Sequence, residues 1–140
     1  KHGKKPFKDL FYPIGDKVYS LDQIENENIR PLVKENKDAR IHFALGCPIL
    51  LNEVYTAEDI NDQLDFVTNS AFLLDRVVKY VTPTEVQGFE IFNWYDVDFE
   101  ADSPDGTVQG YVKKFIKADK VTFPKGTYNW KLNIYPRKLK

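Results

Sequence analysis

Apolar residues recur at a helical interval near the middle of the chain. Ile60, Leu64, Val67 and Ala71 stand at i, i+4, i+7 and i+11, the stripe of an amphipathic helix. Thr56-Ala57-Glu58-Asp59 precedes it and reads as its cap, with acids where the helix dipole favours them. A second helix starts at Ser20-Leu21-Asp22-Gln23, whose Ser-x-x-Gln spacing is a capping box. Leu21, Ile24 and Ile29 supply its apolar flank, and Pro31 or the charged stretch after it is expected to end it. Val108, Val112, Phe115 and Ile116 predict a last helix beginning near Thr107.

Alternation marks the strands. Ile41, Phe43 and Leu45 alternate with Arg40, His42 and Ala44, which predicts a strand over 39–45 stopped by Gly46-Cys47-Pro48. Val77–Val81 is β-branched and aromatic and reads as a strand, with Thr82-Pro83 turning after it. Val121-Thr122-Phe123 predicts a brief strand, 124–127 a turn, and 128–134 a final extended segment. Phe89–Tyr95 fits a short helix or a strand, and Asp102-Ser103-Pro104-Asp105-Gly106 is a loop. Helices and strands are interspersed without a βαβ rhythm, so the expected class is α+β, an antiparallel sheet packed by a few helices. One domain is expected over 1–140, with basic tails at 1–6 and 136–140.

Composition removes several functions. Twenty Lys and Arg against 21 Asp and Glu give a net charge of −1, which excludes a general polyanion binder and with it nucleic acid as a partner. A single cysteine, Cys47, excludes an intrachain disulfide framework and a Cys-rich zinc site. No apolar run approaches the ~18 residues of a transmembrane helix. The first residues, Lys1-His2-Gly3-Lys4-Lys5-Pro6, lack the apolar stretch of a signal peptide.

Two residues invite a chemical reading. A thiolate nucleophile needs a nearby base, and His42 stands five positions before Cys47 across an expected strand end. The plain alternatives are a buried thiol acting as a small hydrophobe and a hydrogen-bonded structural histidine. The acidic run Asp96-x-Asp98-x-Glu100-x-Asp102 begins like a calcium loop, but Ala101 and Thr107 stand where an EF-hand needs Gly and a bidentate acid. A solvated acidic loop is expected instead. No phosphate loop, Rossmann glycine pattern, HExxH or GxSxG occurs, so no cofactor or metal is assigned. Trp94, Tyr95, Phe99, Tyr128 and Trp130 either pack or stack on a ligand.

Several segments together resemble a family, domain of unknown function 547. They are Tyr19-Ser20-Leu21-Asp22-Gln23-Ile24-Glu25 followed by Arg30, Asp38-Ala39-Arg40-Ile41-His42-Phe43-Ala44-Leu45, and Cys47-Pro48-Ile49-Leu50 with Asn52-Glu53 and Tyr55-Thr56-Ala57-Glu58. Ile91-Phe92-Asn93-Trp94-Tyr95 with Asp98-Phe99, and Tyr128-Asn129-Trp130-Lys131-Leu132-Asn133, complete the set. The resemblance runs from about Phe7 to Tyr135. Three departures stand out. Asn26 replaces the family's usual histidine, Gly46 alone separates the Phe-Ala-Leu and Cys-Pro segments, and the family's upstream helix has no counterpart before Phe7.

The resemblance implies a transglutaminase-like or papain-like scaffold lacking its N-terminal helix, with His42 in the place of the catalytic histidine. On that basis the expected function is a non-catalytic binding or interaction domain on a cysteine-hydrolase-like scaffold, taking a protein, peptide or glycan ligand. The alternative is a cysteine hydrolase or acyltransferase on peptide or amide substrates. There Cys47 would attack, His42 would carry the proton, and Glu25 or Asn133 would orient the imidazole. Arg40, Trp94, Tyr95, Trp130 and Asn133 are the candidate binding residues. Family likeness gives the periplasm or cell surface as the expected location, with the cytoplasm, suggested by the single cysteine and missing signal, as the alternative.

Overall fold

The computed structural model describes residues 6–45 and 54–126. A short helix, α1 (Pro6–Asp9), leads into a hairpin of β1 (Phe11–Ile14) and β2 (Lys17–Ser20), with Tyr12 opposite Tyr19. Gly15, at φ 64°, takes the first position of the two-residue loop, as a type II′ turn requires. Ser20 ends the hairpin and caps the next helix. Its Oγ accepts from the Gln23 amide at 3.2 Å, and Gln23 Oε1 accepts from the Ser20 amide at 3.0 Å, the expected capping box.

That helix has three registers: α2 (Leu21–Gln23), a π-helical stretch over Ile24–Ile29, and α3 (Arg30–Asn36). Pro31 does not end it. The proline lies in the first turn of α3, directly after the π-helical stretch, so its missing N–H falls where one register gives way to the other. The chain leaves the helix in the charged stretch, at Lys37 in the left-handed region.

The strand expected over 39–45 is instead a helix, α4 (Ile41–Leu45), entered through a turn. Ala39, His42 and Phe43 are buried while Leu45 is exposed, which is helical spacing at i, i+3 and i+4. The alternation misled because it counted His42 as a solvent-facing polar residue. The long helix α5 (Ile60–Leu73) is as expected and buries Leu64, Val67, Thr68, Ala71 and Phe72. Thr56 Oγ1 accepts from the Asp59 amide at 3.2 Å, capping the turn before it.

Strand β3 (Val78–Tyr80) pairs antiparallel with β4 (Glu85–Gly88). β4 pairs in parallel with β5 (Lys120–Thr122), Val86 opposite Val121. A parallel pair needs a long crossover, and three short helices fill it: α6 (Ile91–Trp94), α7 (Asp96–Ala101) and α8 (Val108–Lys113). The class is α+β, with the sheet mixed. The acidic run expected as a solvated loop is mostly α7, and it buries Asp98 and Phe99. Thr107 caps α8 through the Gly110 amide at 2.9 Å. The extended segment expected over 128–134 lies outside the described residues.

Phe43, Phe92, Phe99 and Tyr111 are fully enclosed and form the centre of the core. Phe43 reaches Phe72 and Phe99, each at 5.7 Å between ring centres, so α4 is fixed against both α5 and α7. No helix among the described residues is long and apolar enough to cross a membrane. Gly88 leaves room for this aromatic packing: a Cβ there would fall 2.5 Å from the Phe123 ring and 2.9 Å from Phe92. Gly88→Ala is therefore expected to lower stability by about 1–3 kcal/mol through overpacking. Urea unfolding should show a lower midpoint with an unchanged slope.

Candidate functional site

His42 sits in the first turn of α4 and meets Asp98 of α7. Nε2 and Oδ2 are 3.0 Å apart, and each side chain is only 3% exposed. The Tyr95 ring lies flat on the imidazole at 3.9 Å with planes 17° apart, and Phe99 approaches at 5.6 Å. Burial pushes the His42 pKa below its ordinary value, outweighing the hydrogen bond and charge of Asp98 that pull it up. The imidazole is thus neutral at pH 7, with one nitrogen committed to a carboxylate.

Above this pair lie Glu25 and Arg30. The Arg30 amide donates to the Glu25 carbonyl, five residues back, so the π-helical register sets the two side chains one turn apart. In an α-helix a five-residue step would rotate them by about 140° relative to each other. Here both reach the same ring. Tyr95 Oη donates to Glu25 Oε1 at 3.1 Å, and the Arg30 guanidinium lies 5.0 Å over the ring centre. Burial and the Glu25 charge push the Tyr95 pKa up to about 12, so the phenol keeps its proton and stays a donor. Arg30 Nη2 stands 3.8 Å from Asp98 Oδ2.

Of the residues singled out in the sequence, Glu25, His42 and Tyr95 come together. Arg40 does not join them. Its guanidinium forks onto Asp38 at 2.8 and 2.7 Å and reaches Asp65 at 2.7 Å and Asn61 at 3.0 Å. These contacts raise the Arg40 pKa and lower that of Asp38, and they tie the entry of α4 to α5. Trp94 ends α6 at the surface, 42% exposed. Cys47, Trp130 and Asn133 lie outside the described residues.

Asp98 and Arg30 are the members that the residue-by-residue reading missed. Asp98 was hidden in an acidic run whose spacing suggested solvent. Both stand in the segments that carry the family resemblance, which was the signal that could have found them. Two open hollows among the described residues lie elsewhere. One is ringed by Asp38, Arg40, Asp65, Asp102 and Lys114, the other by Phe72, Leu73, Tyr80 and Phe115.

The family model described as "Protein of unknown function, DUF547" matches residues 2–73. This chain belongs to that family. No curated protein and no solved structure matches it. The DUF547 match contains Glu25, Arg30 and His42, while Tyr95, between α6 and α7, and Asp98, on α7, lie beyond it.

The neutral, buried His42 makes stability of the DUF547 chain depend on pH. The unfolded chain takes up the imidazole proton first, near pH 6.5, because the folded value lies lower. The contribution is therefore complete above about pH 6.5 and is lost as pH falls below it. Between pH 7 and pH 5 the melting temperature should drop more steeply for the native chain than for His42→Gln, as followed by circular dichroism. Parallel slopes would mean that burial does not govern this imidazole.

Proposed function

We propose that this DUF547 chain is a non-catalytic binding domain whose ligand meets the polar rim of Glu25, Arg30 and Tyr95. The observation that carries the reading is the enclosure of His42. A general base must reach the proton it removes, whereas this imidazole is 3% exposed, with Tyr95 on its face and Asp98 on Nε2. Buried polar pairs of this kind serve as well to fix one packing arrangement as to move protons. Glu25 and Arg30 are half-buried and so remain within reach of a protein, peptide or glycan ligand.

The second reading, a cysteine hydrolase or acyltransferase, draws support from the same pair. A carboxylate on one nitrogen of a neutral imidazole is the arrangement that orients a base toward a nucleophile, and Cys47 follows His42 by five residues.

Alkylation separates the two. With native protein and iodoacetamide between pH 6 and 9, the binding reading expects a thiol that is unreactive or whose rate climbs as for an ordinary cysteine, with pKa about 8.5. His42→Gln should leave that profile unchanged. A rate already level below pH 7, and falling more than about tenfold in His42→Gln, would establish an activated thiolate and overturn the proposal.

A further inference from the structure

We infer that Arg30 is the receptor for a carboxylate carried by the ligand, an inference that rests on the binding-domain reading and names the chemistry it would recognise. A guanidinium has five N–H donors in a fixed fork. Around Arg30 they are poorly used. Nη1 reaches Asn26 Oδ1 at 3.4 Å, the long limit of a hydrogen bond. Nη2 stands 3.8 Å from Asp98 Oδ2, close enough for attraction and too far for a hydrogen bond. Nε is enclosed and meets no hydrogen-bond partner among the described residues, so the fork that an incoming ligand would use is the Nη1–Nη2 end.

Arg40 shows what a saturated arginine looks like in the same molecule, with four side-chain oxygen contacts at 2.7–3.0 Å. Its side chain is 21% exposed, against 33% for Arg30. Arg40 therefore has no fork left for a ligand, and Arg30 does.

The Arg30 group is also held in advance. The Tyr95 ring supports one face of the guanidinium, and the long contacts to Asn26 and Asp98 steady its tip without filling it. A planar carboxylate can then make two parallel N–H···O bonds, the geometry that gives arginine its preference for this group. Little ordering cost remains to be met on binding. Charge selects among anions. Glu25 and Asp98 flank the site, so a singly charged carboxylate meets less repulsion than a phosphate dianion. Asn26 contributes too, because it supplies a neutral oxygen to Nη1 and places no positive charge beside the guanidinium.

The test uses N-acetylglycine as the carboxylate probe, N-acetylglycinamide as its uncharged counterpart and inorganic phosphate as the competing anion. Each is titrated into ¹⁵N-labelled protein while the Arg30 Nε–Hε signal and the backbone amide signals of residues 26–30 and Tyr95 are followed, and the variants, which lack that side-chain signal, are read on the amides. A saturable shift with the acid, absent with the amide and at least about fivefold weaker with phosphate, is expected. Arg30→Gln should abolish it and Arg30→Lys weaken it by about tenfold, the loss of one fork bond, with the circular dichroism of Arg30→Lys unchanged. Equal responses to acid and amide, equal or tighter binding of phosphate, no saturable response to the acid, or full binding by Arg30→Lys would each overturn the inference. One-dimensional proton spectra of the same samples report cleavage of the acetyl–glycine bond through the methyl signal of released acetate. Cleavage would overturn the non-catalytic reading while leaving the role of Arg30 intact.

Discussion

The hydrogen bond between His42 and Asp98 joins two short helices 56 residues apart in sequence, and the packing between them depends on it. Neither helix is long enough to be stable alone. An imidazole and a carboxylate buried to 3% exposure would each cost several kcal/mol if left without a partner. Each can be buried only because the other is there. Asp98 thereby fixes α7 against α4, and Phe99, the next residue, enters the core against Phe43 at 5.7 Å.

The grip has a second point. Asp102 follows Asp98 by four residues, one turn further along, and its Oδ2 accepts from the Ala39 amide at 2.9 Å while Oδ1 pairs with Lys114 at 2.9 Å. Ala39 stands before the first residue of α4, where backbone amides have no partner inside the helix. The end of α7 thus holds the start of α4 while the middle of α7 holds His42. Arg40 adds the third tie, to Asp65 on α5. With its entry clamped from two sides, the five-residue helix carries its histidine at one position and one orientation.

Much of this was legible in the sequence, and the failures have physical causes. The capping box at Ser20, the stripe of α5 and the start of α8 next to Thr107 depend on local spacing and stand as expected. The segment 39–45 failed because hydropathy assigns histidine to the surface, whereas His42 is buried by a carboxylate far along the chain. Asp98 failed for the same reason from the other side: its burial is set by His42 and Arg30, which no local window contains. The hairpin was hard to read because Phe11, Tyr12, Ile14 and Val18 are apolar yet exposed, so its strands carry no regular alternation of buried apolar and exposed polar positions. Its cue was the Gly15-Asp16 turn. Likewise, five-residue spacing carries no meaning in an α-helix, so the pairing of Glu25 with Arg30 could be seen only once the π-helical register was known.

The neutral state of His42 decides how the surrounding charges are arranged. A protonated imidazole would balance Asp98 by direct contact. Because burial keeps the imidazole neutral, the positive charge nearest the carboxylate is Arg30, at 3.8 Å. At that distance attraction persists in a low-dielectric setting, but the directional N–H bonds of the guanidinium stay uncommitted. Moving Arg30 inward to hydrogen-bond Asp98 would bury it further and pull it from Tyr95 and Asn26. Moving it outward would leave the carboxylate without a countercharge. The arginine is held between these two demands, partly covered and partly bonded, and this intermediate position leaves it able to receive a second carboxylate from outside.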